Sequence, residues 1–239
     1  MLPLPYNAVL FDLDGVLTST AELHARCWKR TFDEVLTAAD PPQRPFDAEG
    51  EYLAHLDGKP RADGVRDFLR ARGIEVPEGR PDSPPGEWSV HGIGNRKQVL
   101  VERALAAGSV EAFPGSVRWA RYLRAEGVRT AVVSSSTNCR EVLRAAGISG
   151  LFELTVDGGD VARLGLRGKP APDGFLEAAR RLAVAPRRAA VVEDALAGVA
   201  AGQAGGFGLV IGVARSAPRA ELLSAGAHVV VDDLGELLP

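Results

Sequence analysis

The 239-residue chain has little cysteine, no marked excess of either charge and no long apolar run. Its two cysteines, Cys27 and Cys139, lie far apart, which favours reduced thiols used as small packing residues over a disulfide framework. Lys and Arg total 28 against 31 Asp and Glu, and a net charge of -3 gives no electrostatic reason to expect nucleic acid or an anionic membrane as a partner. No stretch approaches the roughly 20 apolar residues of a membrane span, and Met1–Tyr6 carries no charged export signal, so the expected location is cytoplasmic.

The composition is that of an ordinary globular protein, with 46% hydrophobic and 25% charged residues, and the chain is long enough for a main domain with an insertion. From residue 128 onward, short apolar runs alternate with helical patterns; the runs are residues 129–133, 189–192, 208–211 and 228–231. This alternation predicts an α/β fold with a doubly wound, Rossmann-like parallel sheet.

Residues from about 20 to 111 have a different pattern. Helical periodicity at 21–36, 64–72 and 95–107, without a convincing strand, predicts an inserted helical module. Its middle, residues 75–87, is rich in proline, glycine and charge and predicts a surface loop or a short linker. The predicted domains are therefore an α/β core of residues 1–19 and 112–239 and a helical domain of residues 20–111.

The first predicted strand, residues 7–11, leads into Asp12 and Asp14, followed by Gly15. Two carboxylates at a strand end repel each other unless a cation lies between them, and hard oxygen ligands suit Mg²⁺. A carboxylate can also act as a covalent nucleophile while its neighbour serves as general acid and base. The plain alternative is an ordinary Asp-Gly turn, with Asp12 a solvated strand end.

Three later segments bring further polar groups to the expected ligand edge, since ligands of an open parallel sheet bind at the carboxyl ends of its strands. Residues 134–138, Ser-Ser-Ser-Thr-Asn, offer hydroxyl and N–H groups that suit phosphate, although a plain helix cap has the same composition. Prolines stiffen the segment that presents Lys169. A lysine held rigidly near the two acids can neutralise them and a phosphate, whereas a lone surface lysine would be solvated. Glu193 and Asp194 follow another strand and would complete a magnesium site with Asp12.

These motifs, in this order, resemble those of the haloacid dehalogenase superfamily over nearly the whole predicted core. The resemblance implies that Asp12 is a nucleophile that becomes an aspartyl-phosphate and that Asp14 is the general acid and base, which favours phosphoryl transfer over dehalogenation. Ser134 and Lys169 would hold the transferring phosphoryl group. The implied Mg²⁺ ligands are Asp12, the backbone carbonyl of Asp14, Asp194 and, in support, Glu193.

The helical insertion lies where that family carries a small helical cap. Thr20, His24 and Trp28 recur every four residues on one predicted helix face, similar to the first cap helix of the β-phosphoglucomutase subgroup. The alternative is that Trp28 is a core residue and His24 its neighbour. Arg61 ends a Leu-Asp-Gly-Lys-Pro-Arg segment similar to that subgroup's cap loop, and would bind the distal phosphate of a substrate or else be a solvated surface charge.

The subgroup resemblance implies further substrate-binding positions, which are Lys97, Ser135, Ser136 and Asn138. Two departures leave the substrate open, because Thr137 stands where the subgroup's mutases have a lysine and the cap is longer, with a proline-rich loop.

The expected function is that of a magnesium-dependent phosphotransferase or phosphohydrolase acting on a small sugar phosphate, most specifically converting β-glucose 1-phosphate to glucose 6-phosphate. A plain phosphatase is the alternative within the enzyme class, since the same motifs serve both. A non-catalytic phospho-sugar sensor would be expected to lack Asp12, Asp14 or Lys169, and all three are present. The expected partner is a small phosphorylated substrate, and the protein is expected to be a monomer.

Overall fold

The computed structural model describes residues 6–108 and 110–239. The described residues form six strands, which are β1 (Ala8–Phe11), β2 (Arg129–Val133), β3 (Leu154–Val156), β4 (Ala189–Glu193), β5 (Leu209–Val213) and β6 (Val229–Val231). They also form ten α-helices, which are α1 (Ala21–Ala38), α2 (Gly50–His55), α3 (Arg61–Ala71), α4 (Val90–Ala107), α5 (Pro114–Ala125), α6 (Cys139–Ala145), α7 (Gly158–Arg163), α8 (Asp173–Arg181), α9 (Leu196–Ala204) and α10 (Arg219–Ala225). Residues 1–5 and 109, which the predicted domains include, lie outside the described residues.

These elements form two compact units. The first runs up to Thr20 and resumes at Val110, so that it contains the six strands and α5 to α10; the second begins at Ala21 and contains α1 to α4. Thr20, which the sequence pattern assigned to the first cap helix, belongs to the first unit, because the helix starts one residue later and the Thr20 hydroxyl bonds to Thr18 (Oγ1 to Oγ1, 2.8 Å).

The strands form one parallel sheet in the order β3-β2-β1-β4-β5-β6. The predicted doubly wound α/β fold is confirmed. The sequence pattern did not indicate β3, which has three residues, two of them only half-buried, and pairs with β2 alone. Because the chain continues from β1 to β2 on one side and later to β4 on the other, the strand order switches at β1, and ligands of such sheets bind at that point.

Helices cover both faces of the sheet, which explains why β1 is apolar along its whole length and β4 is apolar up to Val192. On one face, Leu10 packs with Phe175 and Leu182 of the α8 segment. On the other, the ring of Phe11 meets the edge of Trp119 in α5, with ring centroids 5.5 Å apart. Successive residues of β1 therefore point to opposite faces, as expected for an extended chain.

The second unit is built on an aromatic cluster. The ring centroid of Phe32 in α1 lies 4.1 Å from Phe68 in α3, 5.4 Å from Phe46 and 5.1 Å from Trp28, which stacks on it.

Helix α4 starts five residues before the predicted limit, because the Ser89 hydroxyl caps it by accepting a hydrogen bond of 3.0 Å from the Gly92 N–H. Glycines in its first turns masked the helical periodicity of the sequence there.

Both cysteines are free and buried, and burial raises the pKa of the Cys27 and Cys139 thiols, as expected for packing residues. Within residues 6–108 and 110–239, none of the helices has both the length and the apolar character needed to cross a bilayer.

Candidate active site

The register of the sheet places Asp12 beside the end of β4. Phe11 is level with both Val132 and Val192, and the Asp12 N–H extends the ladder by donating to the Val192 carbonyl at 2.9 Å. The next residue on each side, Asp12 directly after β1 and Glu193 at the end of β4, therefore lies at the same level of the sheet edge. Asp12 is only 7% exposed, so its alternative interpretation as a solvated strand end is wrong.

A tight turn follows Asp12. The Leu13 carbonyl accepts hydrogen bonds from the N–H groups of Leu17 (2.9 Å) and Thr18 (3.1 Å), and the buried Leu13 side chain anchors the turn. Gly15 has φ +82°, and a Cβ there would lie 1.8 Å from Asp194 Oδ2, so neither the backbone nor the space admits a larger residue. The Asp-Gly pair thus forms a turn that packs directly against a second carboxylate of the edge.

Lys169 links the two neighbouring strand ends. Its ammonium donates to Asp12 Oδ1, to Glu193 Oε1 at 2.5 Å and to the Val133 carbonyl at 3.2 Å, which gives each of its three N–H groups an acceptor. The ammonium also lies 5.0 Å from the centre of the Phe175 ring. The residue that the sequence predicted to neutralise the acids is buried and touches two of them.

Burial has the largest effect on the pKa of the Asp12 carboxyl. It raises the pKa of the Asp12 carboxyl well above its ordinary value, and the charges of Glu193 and Asp14 add to the rise while Lys169 opposes it. Burial alone would lower the pKa of Lys169, but contact with two carboxylates reverses this effect and raises it, so that the ammonium stays protonated at neutral pH.

Glu193 is completely buried, and both of its oxygens have protein donors. Oε1 accepts from Lys169, while Oε2 accepts from the N–H groups of Asp194 (3.2 Å) and Ala195 (3.3 Å). A Cβ on Gly198 of α9 would lie 1.8 Å from Glu193 Oε1, so the glycine leaves the space that the carboxylate fills. Glu193 is therefore held in place from three sides and in turn holds Lys169.

The edge has the donor set of a site for a hard cation. Carboxylate oxygens of Asp12, Glu193 and Asp194, all buried, lie within 4.8 Å of one another. Three carboxylates and one ammonium, that of Lys169, leave two buried negative charges, which a divalent cation would cancel. Oxygen-only donors of this kind fit Mg²⁺ or Ca²⁺ rather than a soft metal.

Asp14, two residues after Asp12, is half-buried, and its Oδ1 accepts a hydrogen bond from the Thr20 hydroxyl. Thr20 is itself buried and contacts Thr18. A side chain that the sequence analysis assigned to substrate binding thus orients the predicted acid and base.

The Ser-Thr run after β2 is a chain of small hydrogen-bonded turns. The Ser134 N–H extends the ladder to the Val156 carbonyl (3.0 Å), and the Ser134 hydroxyl accepts from the Ser136 N–H at 3.1 Å. The Ser136 hydroxyl in turn accepts from the N–H of Asn138 at 3.1 Å, just before α6. Ser134 is buried and Ser135 half-buried. Both, like Ser136 and Asn138, lie beyond the carboxyl end of β2, the strand next to β1.

In the second unit, the structure brings three of the predicted residues together and places a fourth with a different partner. Lys97 Nζ lies 2.6 Å from His24 Nδ1 and 5.0 Å from the centre of the Trp28 ring, and all three side chains are buried. Trp28 is also part of the aromatic cluster, as its alternative interpretation expected. Arg61, at the start of α3, is half-buried and donates to Gln98 Oε1 at 2.6 Å, and burial lowers its pKa although the charge of Glu102 opposes this.

Two residues of the first unit that no sequence motif indicated contact this edge. The Ser216 hydroxyl donates to Asp194 Oδ2, and Arg215 donates to the Gly15 and Val16 carbonyls. The one available signal was their position directly after the apolar run of β5, whose carboxyl end lies at the same edge of the sheet.

A doubly wound sheet that presents a buried Asp–Lys–Glu cluster at its switch point, with a helical unit inserted after the first strand, defines the class of the haloacid dehalogenase-like enzymes. The family profile described as haloacid dehalogenase-like hydrolase matches residues 6–206. The chain belongs to this family.

The chain is similar to several named proteins. It is 47% identical to the β-phosphoglucomutase of Mycobacterium bovis, over 99% of this chain and 93% of that protein. It is 31% identical to the β-phosphoglucomutase of Bacillus subtilis, over 97% of this chain and 91% of that protein. Among solved structures, a mutant of CbbY from Rhodobacter sphaeroides in complex with xylulose 1,5-bisphosphate matches with a TM-score of 0.73 and 28% identity, covering 97% of this chain and 96% of that one.

Proposed function

We propose that this protein is a magnesium-dependent phosphomutase that converts β-glucose 1-phosphate to glucose 6-phosphate. The observation that carries the proposal is the 47% identity to a β-phosphoglucomutase over nearly the full length of both chains. The buried cluster at the sheet edge supports it, because phosphoryl transfer needs a positioned nucleophile and neutralisation of spread negative charge.

In the proposed reaction, an oxygen of Asp12 attacks the phosphorus of a donor sugar phosphate, so that the phosphorus–oxygen bond to the sugar breaks and an aspartyl-phosphate forms. Asp14, oriented by the Thr20 hydroxyl, gives a proton to the departing sugar oxygen. It then takes a proton from the hydroxyl of the second sugar, whose oxygen attacks the aspartyl-phosphate and regenerates Asp12. When the second sugar is β-glucose 1-phosphate and its 6-hydroxyl attacks, glucose 1,6-bisphosphate forms. Asp12 then takes the 1-phosphoryl group from this bisphosphate, which leaves glucose 6-phosphate and the aspartyl-phosphate for the next cycle.

The other first-unit residues have supporting roles in this proposal. Lys169 and Ser134 hold the transferring phosphoryl oxygens, and Glu193 fixes Lys169. Asp12, Asp194 and the backbone carbonyl of Asp14 would hold Mg²⁺, with Glu193 in support. The ion would supply positive charge against the phosphoryl oxygens.

The remaining predicted residues keep a substrate-binding role as a proposal. These residues are His24, Trp28, Arg61 and Lys97 of the second unit and Ser135, Ser136 and Asn138 of the first. A buried ammonium and imidazole, as in the Lys97 and His24 pair, suit a substrate with phosphate and hydroxyl groups.

The test is an assay with β-glucose 1-phosphate, Mg²⁺ and a catalytic amount of glucose 1,6-bisphosphate, in which glucose 6-phosphate is followed by a coupled dehydrogenase. We expect turnover in the wild type, no turnover in Asp12→Asn, and a loss of about 10²–10⁴-fold in Asp14→Asn. Asp82→Asn is the matched control, since Asp82 is an exposed partner of Arg80 and should keep wild-type activity. Wild-type protein that leaves every sugar phosphate unchanged would refute the proposal.

A plain sugar-phosphate phosphatase is the second candidate. Thr137, where the subgroup's mutases have a lysine, favours it, because a mutase must deliver the aspartyl-phosphate to a sugar before water attacks it. The same assay separates the two functions, since a phosphatase releases inorganic phosphate in step with substrate loss and yields no glucose 6-phosphate.

A further inference from the structure

The loop after β5 contributes two neighbouring side chains to the carboxyl edge of the sheet. Arg215 and Ser216 are both half-buried and lie between the end of β5 at Val213 and the start of α10 at Arg219. β5 is separated from β1 by β4 alone, so this loop reaches the acidic cluster from the side opposite β2.

Ser216 acts on the Asp194 carboxylate. Its hydroxyl donates to Asp194 Oδ2, the same oxygen that faces Gly15, where a Cβ would lie only 1.8 Å away. The carboxylate of an aspartate turns easily about its last torsion, so a donor on one oxygen fixes the direction in which the other oxygen points. Residues behind a metal ligand that fix its orientation in this way determine much of the metal affinity.

Arg215 acts on the turn after Asp14. One terminal nitrogen donates to the carbonyls of Gly15 (2.9 Å) and Val16 (3.1 Å), while the other donates to Asp233 Oδ2 at 2.8 Å. The guanidinium carbon lies 3.6 Å from the centre of the Phe113 ring, which fixes the plane of the group.

Hydrogen bonds thus hold the backbone of the turn both before and after Gly15. The Gly15 N–H donates to the Thr18 carbonyl at 2.8 Å, and the Val16 carbonyl also accepts from the Ser116 hydroxyl at 2.7 Å. Since the Asp14 carbonyl belongs to the peptide unit whose N–H is that of Gly15, its direction is set by the same contacts.

We propose that Arg215 and Ser216 form a positioning pair that sets the affinity of the site for its divalent cation, Ser216 by orienting Asp194 and Arg215 by fixing the turn that presents the Asp14 carbonyl. This inference rests on the magnesium site of the proposed function. Neither residue touches the reacting atoms, and the pair acts through Asp194 and the turn.

The test for Ser216 is calorimetric titration of the metal-free protein with Mg²⁺ alone. We expect Ser216→Ala to weaken Mg²⁺ binding by about 10–100-fold and to raise the Mg²⁺ concentration for half-maximal activity by the same factor, while kcat at saturating Mg²⁺ changes little. Ser216→Thr keeps the hydroxyl and should restore most of the affinity. Ser224→Ala is the matched control, because the exposed Ser224 hydroxyl bonds only within α10, to the Ala220 carbonyl.

The test for Arg215 uses Arg215→Met, with Arg219→Met as its control. Arg219 makes the same kind of contacts, to the Val230 carbonyl and to Asp232, but at β6 and away from the acidic cluster. We expect Arg215→Met to weaken Mg²⁺ binding by at least about 10-fold and Arg219→Met to leave it unchanged. Far-ultraviolet circular dichroism checks that each variant is folded.

The outcomes separate this inference from the proposed function, because the titration needs no turnover. Folded Ser216→Ala and Arg215→Met with wild-type Mg²⁺ affinity would overturn the inference while a working mutase assay stands. Wild type that binds Mg²⁺ but transfers no phosphate would refute the function alone, provided the variants still bind Mg²⁺ more weakly. Wild type that binds no Mg²⁺ would overturn both.

Discussion

Replacing Lys169 by methionine is expected to destabilise the protein strongly and in a pH-dependent manner. The ammonium is the shared partner of the buried Asp12 and Glu193 carboxylates, with Nζ 2.5 Å from Glu193 Oε1. Methionine has a similar length but no charge, so the variant would leave two buried negative charges without their counter-ion. Breaking a buried ion pair in this way costs about 3–5 kcal/mol of unfolding free energy. At about 1.4 kcal/mol per tenfold change, the folded-to-unfolded ratio falls by roughly two to four powers of ten.

The sign of the pH dependence follows from proton binding. Without Lys169, burial and the nearby charges of Glu193 and Asp14 hold the folded-state pKa of Asp12 above that of the unfolded chain, about 3.9. The folded variant then binds more protons than the unfolded chain, so its stability rises as the pH falls from 8 to 5. In the wild type, the raised pKa of Lys169 adds stability that is fully present below the ordinary lysine pKa and is lost only as the pH rises through the folded value.

The measurement is urea unfolding followed by circular dichroism, in the presence of a chelator, for wild type and variant at several pH values. Lys29→Met is the matched control, because 39% of the Lys29 side chain is exposed, against 5% for Lys169, and the loss of its contact with Asp33 (2.6 Å) should cost less than about 1 kcal/mol. A Lys169→Met variant that loses no more stability than Lys29→Met, or that is no more stable at pH 5 than at pH 8, would refute the reasoning.

Three further predictions concern packing and metal binding. Gly198→Ala places a Cβ 1.8 Å from Glu193 Oε1 and so displaces the partner of Lys169; we expect kcat to fall roughly 100-fold, whereas Gly150→Ala, with nothing within 4 Å of the added Cβ, keeps wild-type kcat. Phe32→Ala removes the fully buried centre of the aromatic cluster and should lower the free energy of unfolding by about 3–5 kcal/mol in urea titrations. Mg²⁺ at about 100 times its Kd should stabilise the wild type by about 2.7 kcal/mol, and chelation should reverse the accompanying rise in Tm. An unchanged Tm would contradict the expectation that Mg²⁺ binds the folded protein and not the unfolded chain.

The order of the chemistry along the chain was predictable from sequence because each motif is a local pattern. Asp12 and Asp14 follow an apolar run, Ser134 follows another, and Glu193 and Asp194 a third. Parallel strands place such positions at one edge of a sheet whatever the details of packing, so the α/β class and the expected edge followed from alternation alone. Two short elements escaped this logic. The three residues of β3 include Thr155 and form no continuous apolar run, unlike the three valines of β6, and the six residues of α2 are too few for a helical period to emerge.

Only the tertiary structure decided which residues remote in sequence are in contact. Lys169 reaches Asp12 across 157 positions, Lys97 meets His24 across 73, and Arg215 reaches Gly15 across 200. No local pattern encodes these pairs, since they depend on sheet register, helix packing and the path of each loop. The sequence by itself determined which groups arrive at the edge, and the packed fold decided which of them touch, because contact depends on distances that are fixed only when the whole core is assembled.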